Sequence, residues 1–589
     1  MEKSDSIHKS FATKDVHLYF SIICSWVVSL IWFHPQLIKI YDAVQGTFAW
    51  IVLTLFIFLV ELTWLYGFYN IWIVFFAWFY RRQNKTQRLL DSHVSPKNLA
   101  VALLYPTCDD FVEAGAYSCV NQDYPDFTVY ILDDSTDAGF QDQIDCFAGR
   151  FPNRVRVIRR PDRRGFKAGN LNYGLSNFAI NEPFFAITDA DEILPSDFLR
   201  RLAPILIADE QCGFVQANHC CNPNASNLLR AALGIGVDIH WRWYQPLRNK
   251  YGFVMLLGHG AVLRRECWEK IGGFPEIVSE DLAYAIRLRD EGWYGRFVEN
   301  VTCYEEFPES VRSFRIRHMK WTRGTCELLV TELKRLILSK NISLVEKLDI
   351  VFPVMNLPLS MLFLPFVICA SLIVPNMWGF SNPFNAMIYG QGFAFTADYS
   401  NAVSDAAFGP DFFIMTLLTF IAPILCFVLE LAPRPLYLLR FLCHSTVLYA
   451  GLCPLSTVGV LTYLVTRKAT FFVTGDQCAL SERQLRLTAT PTWLKIKNYF
   501  QSFLYQSHPD HSAVKSFEIA CGLFLICYSF FSLQISLSGL ALAFILLPVM
   551  HHVGWENPMI QRLILLPFSL TFLGPLVRGL ALFLSGGFI

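Results

Sequence analysis

Phe184-Phe185-Ala186-Ile187-Thr188-Asp189-Ala190-Asp191-Glu192 runs four apolar residues straight into two aspartates spaced one residue apart. A continuous apolar run of this length beside charge reads as a buried strand of a parallel sheet. Open α/β sheets place their ligands at the carboxyl ends of the strands, which is where this run stops. Two carboxylates at i and i+2, where the chain turns, can both reach one hard divalent cation. Mg2+ takes one or two carboxylates and leaves its other positions to water and substrate phosphates. A lone Asp-x-Asp also fits a solvated acidic turn, so the flanking sequence has to decide.

Working outward, short β-like runs lie at 98–105, 127–132, 154–159 and 213–217, with helix-like segments or loops such as 109–122 and 166–178 between them. Strands alternating with helices argue a parallel-rich sheet with right-handed crossovers. This character holds from 98 to about 345.

Beyond it the chain turns apolar. Of 589 residues 53% are hydrophobic, only 17% are charged, and Phe alone supplies 52. That balance belongs to a membrane protein with a soluble part. Lys+Arg and Asp+Glu stand at 49 each, so no nucleic acid or acidic partner is expected. The 17 cysteines lack paired C-x-x-C spacing and read as small buried hydrophobes in a reducing compartment, without zinc.

Residues 17–33 are apolar with no small-residue cleavage site behind them, hence an anchor. Residues 47–80 are long for one span, so strongly tilted or broken near Gly67, and end in Arg81-Arg82. The basic exit predicts that residue 81 onward, and the N-terminus too, face the cytoplasm. Apolar stretches return at 350–376 and 411–432, and again in the tail at 516–533, 536–550 and 562–586. A full crossing by 441–465 would carry Arg467-Lys468 outward, so an interfacial or re-entrant segment is expected there. The expected division is 1–80 as N-terminal transmembrane helices, 81–345 as a cytosolic domain with interface helices, and 346–589 as a C-terminal membrane region.

Further motifs accompany the aspartate pair. Pro106-Thr107-Cys108-Asp109-Asp110 ends the first strand and Asp133-Asp134-Ser135 the second. Gly165-Phe166-Lys167-Ala168-Gly169-Asn170 opens a helix, where Lys167 could add its ammonium and nearby N–H groups to anion binding or be a surface charge. Ser279-Glu280-Asp281 follows a Gly-Gly-Phe-Pro turn, and Arg317-His318-Met319-Lys320-Trp321 comes last. By itself Asp281 could be a helix N-cap, Trp321 a buried anchor and His219 a core or turn histidine.

Taken in this order between membrane spans, the set resembles the membrane-embedded processive glycosyltransferases of family 2, the group of cellulose, chitin and hyaluronan synthases. The resemblance covers roughly 98–330 and extends to Phe471-Phe472-Val473-Thr474, similar to the gating-loop motif of cellulose synthases. It implies an α/β cytosolic glycosyltransferase domain (Rossmann-like, parallel-rich sheet) inserted between α-helical transmembrane segments, with a gating-loop-like segment near 467–480. It implies a processive inverting β-glycosyltransferase, with UDP-glucose as the first expectation, that extrudes its polysaccharide through its own membrane region.

By the same resemblance Asp133 and Asp134 bind the uridine, and Asp189 and Asp191 hold Mg2+ or Mn2+ on the diphosphate. Lys167, Lys320 and Thr474 join the donor site, Asp281 is the catalytic base, and Trp321 meets the acceptor sugar. An ordinary aspartate, with a value near 3.9, is ionised at neutral pH without tuning. The implied partners are a UDP-sugar, the growing polysaccharide and the lipid bilayer of an inner or plasma membrane, with room for accessory subunits.

Departures from the family pattern are Arg317 for Gln, Lys320 for Arg, Ser279 for Thr and Asp476 for Lys. Lys320 replaces a bidentate fork by a point charge. The alternative activity is a non-processive membrane transferase acting on a lipid or lipid-phosphate acceptor; Trp321 favours the polymerase. A transporter with a regulatory nucleotide-binding domain would carry charges on several spans, where Glu61 and Glu430 are the main candidates. The retained carboxylates argue against an inactive binding module.

Overall fold

The computed structural model describes residues 13–43, 47–83, 99–224, 227–377, 410–469, 508–532 and 535–573. A seven-stranded sheet runs in the order β3-β2-β1-β4-β6-β5-β7. The strands are β1 Val101–Thr107, β2 Phe127–Asp133, β3 Val155–Ile158, β4 Phe184–Ile187, β5 Cys212–Cys221, β6 Ala261–Arg264 and β7 Tyr294–Glu305. β1 pairs parallel with β2 and β4, β2 with β3, and β5 with β7. β6 is antiparallel to both of its neighbours. The parallel-rich sheet expected from the sequence is present, with one reversed strand.

β4 is buried on both faces. Phe185 and Ile187 enter one apolar core, Phe184 and Ala186 the other. That two-residue alternation into two cores is why the strand reads as an unbroken apolar run. β6 and β7 were not legible in the sequence. β6 has four residues, too few for a pattern. β7 slips register against β5, where Ala217 pairs with Val298 but Asn218 with Thr302, so its polar bulge residues hide the alternation.

Among the described residues, seven helices are long and apolar enough to cross a membrane: His17–Asp42, Trp50–Arg81, Leu344–Ser371, Ile414–Leu431, Pro435–Thr466, Ser512–Phe530 and Ser536–Val553. The helix Thr47–Gln83 is unbroken through Gly67, whose missing side chain lets Thr419 pack against it. The stretch expected to be interfacial or re-entrant is one helical run, Pro435–Thr466, long enough to cross. It passes through a π-turn at Thr446–Ala450. Its last part, Cys453–Thr466, packs on the helix Val311–Leu338, where His318 Nε2 and Ser456 Oγ are 2.6 Å apart.

Buried ion pairs join the sheet domain to these helices. Arg315 holds Glu518 through two 2.6 Å bonds, with both side chains fully buried. Asp349 accepts from Tyr19 Oη at 2.5 Å and from the Phe253 N–H at 2.7 Å, with Arg248 at 3.2 Å.

Candidate active site

Asp133 is the last residue of β2, level with Thr107 on β1. Its Oδ1 accepts the Ser135 N–H at 2.8 Å, and its Oδ2 accepts Arg159 Nε at 2.6 Å. Asp134 receives a two-pronged bond from Arg160, at 2.8 and 2.7 Å. The same guanidinium donates to the carbonyls of Arg164, at 2.5 Å, and Phe166, at 3.0 Å. Arg160 therefore ties the Asp134 carboxylate to the turn that presents Lys167. Gly169 belongs to this geometry, because a Cβ there would collide with the Arg164 carbonyl and the Arg160 guanidinium.

Lys167, at the start of the helix Phe166–Asn177, forms an ion pair with Asp189 and donates to the Gly258 carbonyl at 2.8 Å. Gly258 lies against Asp281, so that a Cβ on it would stand 3.1 Å from Oδ2. Asp281 occupies the first turn of the helix Glu280–Asp290, whose N-cap is Ser279. The simple N-cap reading of Asp281 is thereby corrected: Asp281 stands inside the first turn, and its Oδ1 accepts the adjacent Leu282 N–H at 2.7 Å.

The electrostatics separate these carboxylates. Burial would raise Asp189, but Lys167 and then His259 outweigh it and hold the carboxyl at about 2. Burial and the Asp189 charge push Asp191 up to about 7. Burial also lifts Asp281, so the expectation of an untuned carboxylate does not hold. Lys320 is lowered by burial, against the pull of Asp189 and Glu280. Asp189 and Asp191 offer hard oxygen donors side by side at a strand end, and a shared divalent cation would offset the repulsion that raises Asp191. The residues present fit such an ion.

The helix Val311–Leu338 carries Arg317, Lys320 and Trp321. The Arg317 guanidinium lies between two rings, 5.0 Å from the centre of Phe307 and 4.9 Å from that of Trp321. Trp321 is 49% exposed, so it is not the buried anchor that its size would also suit. Arg317 stacks on the indole and leaves much of it open. Thr474, with Phe471-Phe472-Val473 and Asp476, lies outside the described residues.

Sequence reading missed Arg159 and Arg160, although they follow β3 at its carboxyl end, where ligand-side residues gather. It also missed the group behind the aspartates. Glu192 is fully buried, with His259 Nδ1 at 3.1 Å and His219 Nε2 at 3.5 Å from its Oε1. One ligand-type atom from each of Glu192, His219 and Cys303 lies within 4.8 Å of the others. His219 is a core histidine, as expected, held neutral by burial at about 3. The signal for His259 was its place between two glycines, Gly258 and Gly260.

Residues 116–324 match the family model described as Glycosyltransferase like family 2. These residues form a glycosyltransferase domain like those of family 2, built on the mixed, parallel-rich sheet and flanked by apolar helices that could span a membrane. More narrowly, curated relatives that the chain matches are named as glucomannan 4-beta-mannosyltransferases. Probable glucomannan 4-beta-mannosyltransferase 11 of Arabidopsis thaliana is 26% identical over 230 residues, which is 38% of this chain and 52% of that protein. Glucomannan 4-beta-mannosyltransferase 1 of Cyamopsis tetragonoloba is 27% identical over 232 residues, 38% and 44% of the two chains. The chain thus spans about half the length of the curated relatives it matches. A mannosyltransferase from Pyrobaculum calidifontis, solved with GDP-Man and Mn2+, overlaps 62% of this chain and 99% of its own at 19% identity. That superposition is loose, with a TM-score of 0.37.

Proposed function

We propose that the protein is an inverting membrane glycosyltransferase that polymerises a β-linked hexose from a nucleotide-diphosphate sugar and passes the product through its own helices. The observation that carries this reading is the position of Lys167. Its ammonium joins Asp189 to the loop against which Asp281 packs, so donor-side and acceptor-side motifs meet at the end of β4. In this reading Asp133 and Asp134, held by Arg159 and Arg160, receive the nucleoside. Asp281 accepts the proton of the attacking acceptor hydroxyl, and Lys167 and Lys320 bring positive charge to the diphosphate. Asp189 and Asp191 would hold Mg2+ or Mn2+, which stabilises charge developing on the leaving phosphate. The open part of Trp321 stacks on the acceptor sugar.

The sheet domain faces the cytoplasm in this reading, where nucleotide sugars are made available. UDP-glucose is the donor implied by the cellulose synthase resemblance. A mannosyl donor stands beside it, because the relatives above are named as mannosyltransferases of glucomannan. The test is to incubate the purified full chain with UDP-glucose, GDP-mannose and UDP-N-acetylglucosamine, each with Mg2+ or Mn2+, and to analyse the linkage of any product. Polymer from one donor, absent in excess chelator, is expected. Nucleotide binding without transfer to any saccharide acceptor would overturn the polymerase reading.

A further inference from the structure

His259 stands between two carboxylates that leave the same strand end. Its Nδ1 is 3.1 Å from Glu192 Oε1, and its Nε2 faces Asp189 Oδ2 at ion-pair distance, 4.0 Å. The side chain is 14% exposed and Glu192 is fully buried. The ring has little freedom to turn, because His219 stacks on it with centroids 4.1 Å apart and planes 12° from parallel.

The backbone around it is held as firmly. Gly258 and Gly260 both take left-handed φ, +80° and +57°, and bracket the histidine in a tight turn. The Gly258 carbonyl accepts from Lys167 Nζ, and the Gly260 N–H donates to Glu192 Oε2 at 3.1 Å. Glu192 Oε2 also accepts from Thr188 Oγ1 at 2.8 Å, which fixes the carboxylate that faces the ring. The Gly260 carbonyl accepts the Ala217 N–H of β5 at 2.9 Å. Asp189 is therefore bracketed, with Lys167 at Oδ1 and His259 toward Oδ2.

We infer that His259 is a positioning residue for the Asp-x-Asp pair: Glu192 faces one ring nitrogen at ion-pair distance, the other faces Asp189, and the rotamer so held lets Asp189 and Asp191 share one divalent cation. The inference rests on reading those two aspartates as cation ligands. Partners behind a metal ligand typically change metal affinity by about 10- to 100-fold when they are removed.

The side-chain amides of Gln and Asn separate this role from packing. The Gln amide nitrogen superposes on His Nε2 and keeps a donor toward Asp189, whereas that of Asn superposes on Nδ1 and faces only Glu192. The full chain in detergent would be titrated with Mn2+, following free Mn2+ by its paramagnetic resonance signal. Binding of GDP and of UDP in excess chelator would be measured alongside.

His259→Gln is expected to bind Mn2+ within about threefold of wild type and His259→Asn to be weaker by about 10-fold or more, with chelator-side nucleotide binding unchanged in both. Glu192→Gln, which keeps the shape and drops the charge on the ring, should weaken Mn2+ in the same direction. Wild-type Mn2+ affinity in His259→Asn would overturn the inference. So would equal losses in both histidine variants, accompanied by a matching fall in chelator-side nucleotide binding. A wild-type chain that binds no Mn2+ would overturn the cation reading of Asp189 and Asp191, and this inference with it.

Discussion

Substitutions at Asp281 and Lys320 test chemistry apart from folding, whereas Arg160 joins the two. Asp281→Asn is nearly isosteric and leaves Ser279 in place as the N-cap. If Asp281 takes the acceptor proton, transfer should fall by about 10²–10⁴-fold, roughly 3–5 kcal/mol of barrier, while nucleotide binding persists. Single-turnover transfer measured beside equilibrium binding checks this, and near-normal transfer would hand the role to Glu280. If Lys320 serves the diphosphate by charge alone, Lys320→Arg should retain most activity and Lys320→Ala should lose most of it. Equal rates in those two variants would reduce the position to packing. Arg160 and Asp134 are buried together, at 4% and 8% side-chain exposure. Arg160→Ala leaves a buried carboxylate unpaired, a loss of about 3–5 kcal/mol. It should lower both the melting midpoint and the nucleotide affinity.

At the scale of elements, the turn at 258–260 links Lys167 to Glu192, and the helix Val311–Leu338 links the sheet domain to the apolar helices. Gly260 has φ +57°, and a Cβ there would meet His219 and Glu192. Gly260→Ala should cost about 1–2 kcal/mol for the left-handed backbone alone, and more for the collision. Its loss of stability should exceed that of Gly272→Ala, where φ is +84° but nothing lies within 4 Å of the added carbon. In the long helix, burial, with Arg315 and Arg317 nearby, holds His318 neutral at about 4. An unfolded histidine titrates near 6.5, so the unfolded chain binds the extra proton between those values. The stability linked to His318 is complete above about pH 6.5 and is lost as pH falls toward 4. His318→Asn should therefore show a smaller drop in melting midpoint between pH 7 and pH 5 than wild type. Parallel slopes would remove His318 from the acid limb.

At the scale of the whole molecule, a fully desolvated ion pair is among the contacts that hold the sheet domain to the apolar helices. Arg315 and Glu518 are both at 0% exposure, and removing one partner of such a pair costs about 3–5 kcal/mol. Arg315→Ala should lower the melting midpoint sharply, whereas Arg315→Met with Glu518→Leu should recover most of the loss, because the paired charges themselves add little net stability. A double variant no more stable than the single would assign the loss to something other than the stranded charge.

What the sequence alone determined was whatever depends on local pattern. β4 could be read because both of its faces are buried and its residues are uniformly apolar. The order of the motifs pointed to a family 2 glycosyltransferase because each motif is contiguous in the chain. The alternation of a soluble α/β segment with apolar stretches separated the two parts of the molecule without any contact being known. Tertiary structure decided what depends on residues far apart in the chain. Arg159 and Arg160 meet Asp133 and Asp134 only because β2 and β3 lie side by side in parallel register. β6 and β7 became strands through partners supplied by β4 and β5, not through a pattern of their own. Glu192, His219 and His259 come from three separate segments that the sheet brings to one point. An ionisable side chain acquires its charge state from burial and neighbours, and neither is written in the order of residues along the chain.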